Sequence, residues 1–432
     1  MMEINDYQQA LDFLFSYVDF SLTHQEQIAP ERFELERMFR LMELLGNPQE
    51  NFAAVHIAGT KGKGSVAAHC AATMQAAGLR TGLYTSPHLS DFRERIQVDG
   101  EMIPEDDFVT GMRVLQETAP KLAGVTSYEL QTALAFWYFD RAGVEWAAVE
   151  VGMGGRLDST NILTPRVSVI TNISYDHTAI LGDTLPKIAA EKCGIIKEGV
   201  PVVSAPQELD ALIVIQQIAA ERGAELTMVG AQLGYETLWI GLDGQDFRIS
   251  DGGVEKEFMT RLLGPHQVEN AVTAYGALTR SGMGISDEAV RAGFASVKWP
   301  GRFEIFPGSP VIVLDGAHNR QSARRLAETV REHFPGMKLA MIFGASEDKD
   351  IAGMFEELLP LAAGVVLYQA NHPRAANSDD LLVLLGDFEG ERRVSSEVKE
   401  VFAAASQIAG EGGVVLVTGS LYLVGELRRG LA

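Results

Sequence analysis

The chain alternates between two hydrophobic periods. DYQQALDFLFSYVDF (6–20) sets Leu11, Leu14, Phe15 and Val18 at helical spacing on one face. FAAVHIAG (52–59) is a short apolar run that predicts a buried strand, and Ser65 to Ala77 predicts a helix stopped by Gly78. Further strands are expected at 80–86, 145–152 and 166–173. Helices are expected at 128–143 and at 184–196, the latter with Pro186 in its first turn. Such alternation predicts a mostly parallel sheet covered by helices. Residues 233–261 break the rhythm: alternation around LDGQ and SDGG reads as antiparallel hairpins.

Two more helices, at about 265–281 and 286–296, lead into KWPGRFEIFPGSP (298–310), whose prolines and glycines mark a linker, with 298–301 as its hinge. The βα rhythm then restarts, with strands at 311–315, 339–343, 364–369 and 413–418. The expected organisation is α/β, with one domain over 1–299 and a smaller one over 300–432.

Charge narrows the function. With 36 Lys and Arg against 58 Asp and Glu, the formal net charge is −22. That argues against nucleic acid or an anionic membrane as partner. Anionic substrates would need locally gathered lysines and arginines. Two cysteines, Cys70 and Cys193, give no disulfide framework and no metal cluster; they read as small buried residues. The start, MMEINDYQQALDFLF, lacks the basic region and cleavage site of a signal peptide, and no apolar run reaches about 18 residues. The expected compartment is the cytoplasm and the expected state a monomer.

Candidate chemistry starts at GTKGKGS (59–65). A glycine-rich turn between a strand and a helix N-terminus exposes backbone N–H groups. The helix dipole and Lys63 add positive charge, and Ser65 offers a hydroxyl to Mg²⁺. The spacing is shorter than GxxxxGK[ST], and Gly64 stands between Lys63 and Ser65. On spacing alone, a phosphate cradle and a turn that binds nothing both remain open.

AGTKGKGS resembles the P-loop of the Mur ligase superfamily, and specifically of its folylpolyglutamate and dihydrofolate synthases. YTSPHL (84–89), ERI (94–96), EVGMGGRLDSTN (150–161), DHTAILGDT (176–184), AAEKCGIIK (189–197), GPHQVENA (264–271), WPGRFE (299–304), DGAHN (315–319) and TGSLYLVGELR (418–428) extend the likeness, in order, over nearly the whole chain. The resemblance implies a P-loop-type N-terminal domain and a Rossmann-like C-terminal one. It implies an ATP-dependent ligase that phosphorylates a carboxylate and lets the amine of L-glutamate displace the phosphate. The acceptor is dihydropteroate or a reduced folate. Such a site holds two anions together, so it needs metal ions and cationic side chains.

It also implies roles. Gly59, Thr60, Gly62, Lys63, Gly64 and Ser65 take the phosphates of ATP; Ser65, Ser86, Glu150 and His177 hold Mg²⁺; Gln267 and Asn270 lie near adenine and ribose. Arg302 and Asp315 serve the nucleotide. Lys63, Lys192 and His318 are the catalytic set, with Lys192 carbamylated. His318, Ser420 and Tyr422 face the glutamate. Without the resemblance, Glu150 is a solvated strand end, His177 a loop hydrogen bond, Ser86 a cap and Lys192 a surface charge. Gln267 and Asn270 are then helix-capping amides, and Asn319 caps the next helix. Glu129, at a helix start, reads equally as a dipole-stabilised surface acid, and His56 as a satisfied core histidine. Two positions depart from the family: Lys61 stands where Asn is usual, an extra cation meeting phosphate or solvent and expected to be dispensable, and His372 lies in a segment usually richer in proline. The rival readings are a cell-wall precursor ligase, disfavoured by TSPHL and KGKGS, and a P-loop nucleotide-binding module.

Overall fold

The computed structural model describes residues 3–18 and 34–431. An eight-stranded sheet forms first. Its strands are β1 (Ala53–Ala58), β2 (Thr81–Tyr84), β3 (Ile96–Val98), β4 (Glu101–Met102), β5 (Trp146–Glu150), β6 (Val167–Ile170), β7 (Val202–Ser204) and β8 (Leu226–Met228). The spatial order is β4-β3-β2-β5-β1-β6-β7-β8. The six strands from β2 to β8 are parallel, and β3 and β4 add an antiparallel edge. β1 therefore lies between β5 and β6, where the chain order reverses. Ligands of open α/β sheets bind at such a switch point, beyond the carboxyl ends of the strands.

The antiparallel hairpins form a separate sheet of β9 (Leu233–Gly241), β10 (Gly244–Asp251) and β11 (Val254–Thr260). Phe247 and Phe258 pack there against Tyr275 and Phe294, closing the core over the P-loop helix. The last sheet comprises β12 (Glu304–Phe306), β13 (Val311–Leu314), β14 (Leu339–Phe343), β15 (Ala362–Leu367), β16 (Glu391–Val394) and β17 (Val414–Thr418). Its order is β12-β13-β17-β14-β15-β16, parallel except for β12. Helices Arg320–His333 and Ile351–Leu358 cover one face; Val398–Ala409 and Leu421–Arg428 cover the other. Near-continuous apolar strands such as LAMIF and VVLVT suit a sheet buried on both faces.

Some elements differ from expectation. The N-terminal helix spans only Tyr7–Phe15, where Ala10, Phe13 and Leu14 face the core. Phe15 is exposed, and Val18 lies past the helix in a bridge with Thr126. The run's last residues, 19 and 20, fall outside the described ones. The P-loop helix begins at Lys63, two residues earlier than expected, because Gly62 takes a φ of +92° and starts the turn. Pro186 does stand in the first turn of Leu185–Cys193. The 298–310 stretch contains the edge strand β12. Its Trp299 lies so close to Gly64 that a Cβ there would sit 2.7 Å from the indole. The linker thus touches the P-loop instead of hanging free.

Candidate active site

A cleft of about 860 Å³ opens between the two large sheets. Thr60 to Ser65, Ser86, Glu150, His177, Gln267 and Asn270 line it from the first sheet and its helices. Arg302, Asp315, His318, Ser420 and Tyr422 line it from the second. Gly59 and Lys192 sit behind the loop, joined by a 2.8 Å hydrogen bond from Lys192 Nζ to the Gly59 carbonyl. One cavity therefore brings Thr60 and Tyr422 together, 362 positions apart in sequence.

Backbone approach explains the loop's composition. A Cβ on Gly59 would fall 1.8 Å from Thr171 Oγ1, and one on Gly62 would fall 2.4 Å from Asn270 Oδ1. The N–H groups of Thr60 and Lys61 both donate to the Asn172 carbonyl, at 2.8 and 3.2 Å. The Gly62 cap provides no side-chain hydrogen bond, so the first-turn N–H groups of the helix keep their capacity for an anion. Its dipole points the same way.

Buried charge accumulates behind this anion cradle. Glu150 ends β5 beside β1, pairs with Lys63 at 3.8 Å and accepts the Ser86 N–H at 3.1 Å. Burial raises its pKa, and Lys63 partly restores it. Lys192 is buried on its helix. Burial first, and then Lys63 and Lys61 against Asp176 and Asp158, pull its pKa down to about 7. A lysine expected to be a surface charge without the resemblance is thus half-neutral at physiological pH. Cys193, beside it, is buried with a thiol pushed up to about 12, and burial raises Cys70 further; both are inert packing groups.

His177 adopts a left-handed φ of +51° and lies 3.8 Å from Asp176. Its Nδ1 is buried without a hydrogen-bond partner. Burial, together with Lys192 and other cations, lowers its pKa to about 4 against the pull of Asp176. Burial opposes ionisation of Asp176, yet Lys61 and His177 hold it well below the usual carboxylate range. The Lys61 ammonium, at the cleft wall, lies 2.8 Å from Asp176 Oδ2 and 3.2 Å from His318 Nε2. His318 Nδ1 lies 2.8 Å from the Gly316 carbonyl. A carbonyl only accepts, so Nδ1 carries the proton and Nε2 takes the bond from Lys61. Lys61 first, and then burial, lowers the His318 pKa to about 3.

The second sheet's groups are hydrogen-bonded in advance. Asp315 accepts the Phe303 and Ala317 N–H groups, each at 2.9 Å, and burial raises its pKa against Arg302. Arg302 Nη1 reaches the Gly301 carbonyl at 3.3 Å. Asn319 caps helix Arg320–His333 and Ser420 caps Leu421–Arg428. Tyr422 stacks on His372 at 3.7 Å between centroids. Gln267 Oε1 accepts Asn270 Nδ2 at 3.0 Å, so these amides hold each other beside Gly62. Glu129 sits in a capping box with Thr126 and pairs with Arg37 at 2.8 Å. His56 is buried and bonds Thr160.

The cleft also contains His266, Arg325, Lys349 and Arg374, which sequence reasoning missed. Isolated cations carry no spacing signal; for His266, adjacency to Gln267 was one. No three His, Cys, Asp or Glu among the described residues form a self-sufficient metal site. Glu150, Ser65 and Ser86 are hard oxygen donors. They suit a Mg²⁺ that draws the rest of its shell from phosphate and water, and the orphaned His177 Nδ1 is an available further ligand.

Comparisons with known proteins place this geometry. Residues 57–278 match the Mur ligase middle domain, and 301–421 match the Mur ligase glutamate ligase domain. These define a class, the Mur ligases, ATP-dependent enzymes that form amide bonds. The chain is 35% identical over 410 residues to a dihydrofolate synthase/folylpolyglutamate synthase of Bacillus subtilis, covering 92% of this chain and 94% of the relative. Escherichia coli FolC in complex with DHPP and ADP superposes with a TM-score of 0.88 at 30% identity, covering 99% and 98% of the two chains. The Mycobacterium tuberculosis folylpolyglutamate synthase complexed with ADP and AMPPCP gives 0.85 at 32% identity, covering 98% of each. The chain belongs to the folylpolyglutamate synthase/dihydrofolate synthase family.

Proposed function

We propose that this chain adds L-glutamate both to dihydropteroate and to the glutamate tail of reduced folates, with residues 1–299 holding ATP and 300–432 presenting the amino acid. The observation that carries this reading is the convergence of a phosphate cradle, Lys63, Glu150, and Arg302, Asp315 and His318 from the second sheet, in one cleft, with buried Lys192 held behind the cradle on the Gly59 carbonyl. A carboxylate oxygen of the folate attacks the γ-phosphorus of ATP, releasing ADP and leaving an acyl phosphate. The glutamate amine then attacks the acyl carbon; phosphate leaves and the amine loses a proton. Lys63 and the first-turn N–H groups neutralise charge on the transferring phosphoryl group. Arg302 steadies the phosphates from the second sheet. Ser420, Tyr422 and the cations beside them receive the carboxylates of the glutamate. Bound Mg²⁺, held by Ser65, Ser86, Glu150 and His177, would offset phosphate charge. Gln267 and Asn270 border adenine and ribose.

Lys192 supports the reading in a second way. Capture of CO₂ needs a neutral amine, and burial lowers the pKa of Lys192 to about 7, so a neutral fraction exists near that pH. A carbamate there would keep an N–H for the Gly59 carbonyl and would replace a cation with an anion able to orient the ligands of a bound metal. A monomer in the cytoplasm fits the strongly acidic composition, and among the described residues no helix is long and apolar enough to cross a membrane. The test is ADP release, measured with dihydropteroate and tetrahydrofolate in parallel. Turnover that requires glutamate together with either acceptor is expected; turnover indifferent to both overturns the proposal.

A further inference from the structure

The Lys61 side chain reaches from the P-loop to the second sheet. Its ammonium bonds Asp176, on the segment after β6, and His318, at the end of β13, within 3.2 Å of each. Asp176 and His318 lie 115 and 257 residues from Lys61 in sequence, on different sheets. The group is only 16% exposed, so solvent competes weakly for it. His318 has no second orientation that satisfies both neighbours: Nδ1 is committed to the Gly316 carbonyl and Nε2 to Lys61.

The His318 backbone is fixed as well. Its N–H donates to Ser322 Oγ at 3.1 Å, and Ser322 is locked in the capping box of Asn319. A pull on the imidazole therefore acts on the start of helix Arg320–His333. Gly316 packs against Arg302 Nη1, where a Cβ would come within 2.5 Å. The strap thus joins the phosphate loop to the turn that carries Asp315 and orders Arg302. Elsewhere on the seam, Ser90 Oγ donates to the Gly425 carbonyl at 3.2 Å, a turn further along the helix whose first residue, Leu421, packs against Gly316; this contact does not involve the P-loop.

We infer that Lys61 is a positioning residue: through Asp176 and His318 it ties the 315–319 turn of the second sheet to the P-loop, setting how closely the amino-acid side of the cleft approaches the phosphoryl side. For its kinetic consequences this rests on the ligase reading; the tie itself does not. An asparagine is too short to reach both partners, so the usual residue at this position would leave the turn untied. A tying role stands against the expectation that Lys61 is dispensable, and the Lys61→Asn variant decides between the two.

The test uses the full chain and the variants Lys61→Asn, His318→Gln, their double variant and Lys61→Arg. Hydrogen exchange without ligands should quicken several-fold at the 315–322 amides in Lys61→Asn and in His318→Gln, and no further in the double variant. Lys61→Arg, which keeps the charge and reach, should restore slow exchange. In turnover, Lys61→Asn should raise the glutamate KM several-fold more than it lowers kcat, and Lys61→Arg should recover most of that loss. Unchanged exchange in Lys61→Asn, or additive exchange effects in the double variant, would overturn the tie. A chain that shows the exchange pattern but no glutamate-dependent turnover would retain the tie and refute the ligase reading.

Discussion

The two large sheets prepare their halves of the cleft in opposite ways. The first gathers charge that is incompletely paired: Lys63 and Glu150 stand 3.8 Å apart, Lys192 is buried on a single carbonyl, and His177 Nδ1 has no partner. In the second, the groups that face the phosphoryl side are mostly satisfied: Asp315 holds two backbone N–H groups, while Asn319 and Ser420 each cap a helix; Arg374 Nε, further out, is a buried donor left without a partner. Incomplete pairing in a buried site costs stability, which active sites sustain because a ligand completes the set. Complete pairing fixes geometry. The first half is therefore built for chemistry on phosphate, the second for placing a nucleophile. Substitutions in the first should damage rate, and substitutions in the second should damage order and stability.

The largest effect is expected at Lys63. Lys63→Ala should lower kcat by ~10²-fold or more, the typical loss for a preorganised electrostatic donor. Steady-state assays at saturating ATP check it, and near-normal turnover would move the transition-state charge elsewhere. Lys192→Ala comes next, with a loss of about 10–100-fold, the usual range for groups that orient a metal's ligands. Acetate or formate should restore part of the rate and alkylamines should not; the reverse pattern would make Lys192 a cation in function.

The same lysine gives a pH signature. Its folded pKa, about 7, lies below the usual value for lysine, about 10.4. Between those values the unfolded chain binds a proton that the folded chain has released. In CO₂-free buffer its contribution to stability therefore rises with pH across that window and is flat outside it. Denaturant titrations of the protein and of Lys192→Met should differ in slope there, and parallel curves would mean that Lys192 is not buried neutral. The smallest effect is reserved for the second sheet. Ser420→Ala should cost about 1 kcal/mol through the lost helix cap, with Ser420→Asn retaining most of it. Thermal melts check this, and a collapse of kcat without loss of stability would invert the contrast between the halves.

How much of this was readable beforehand depended on contiguity. The P-loop, Glu150 at the end of a strand, and Lys192 within AAEKCGIIK are local patterns, and the parallel sheet follows from apolar runs alternating with helical ones. Strands β3, β4, β7 and β8 are two or three residues long, too short to show a period, and β16 (ERRV) is a polar edge. β12 lay hidden between prolines. Lys61 was visible as a departure, but its partners were not, because no local rule pairs residues 257 positions apart. Trp299 against Gly64 was unreadable for the same reason: a linker's composition says that it is irregular, not what it touches. The depressed pKa of Lys192 needed the fold, since burial, and not sequence, sets it.

The central claim is that a carboxylate oxygen leaves the folate on phosphate. The most direct measurement supplies dihydropteroate or tetrahydrofolate labelled with ¹⁸O at both oxygens of the reacting carboxylate and follows phosphate by mass spectrometry during single turnover with ATP and glutamate. The account predicts one ¹⁸O in each phosphate released, because the bridging oxygen of the acyl phosphate departs with it. Unlabelled phosphate alongside amide product would contradict it.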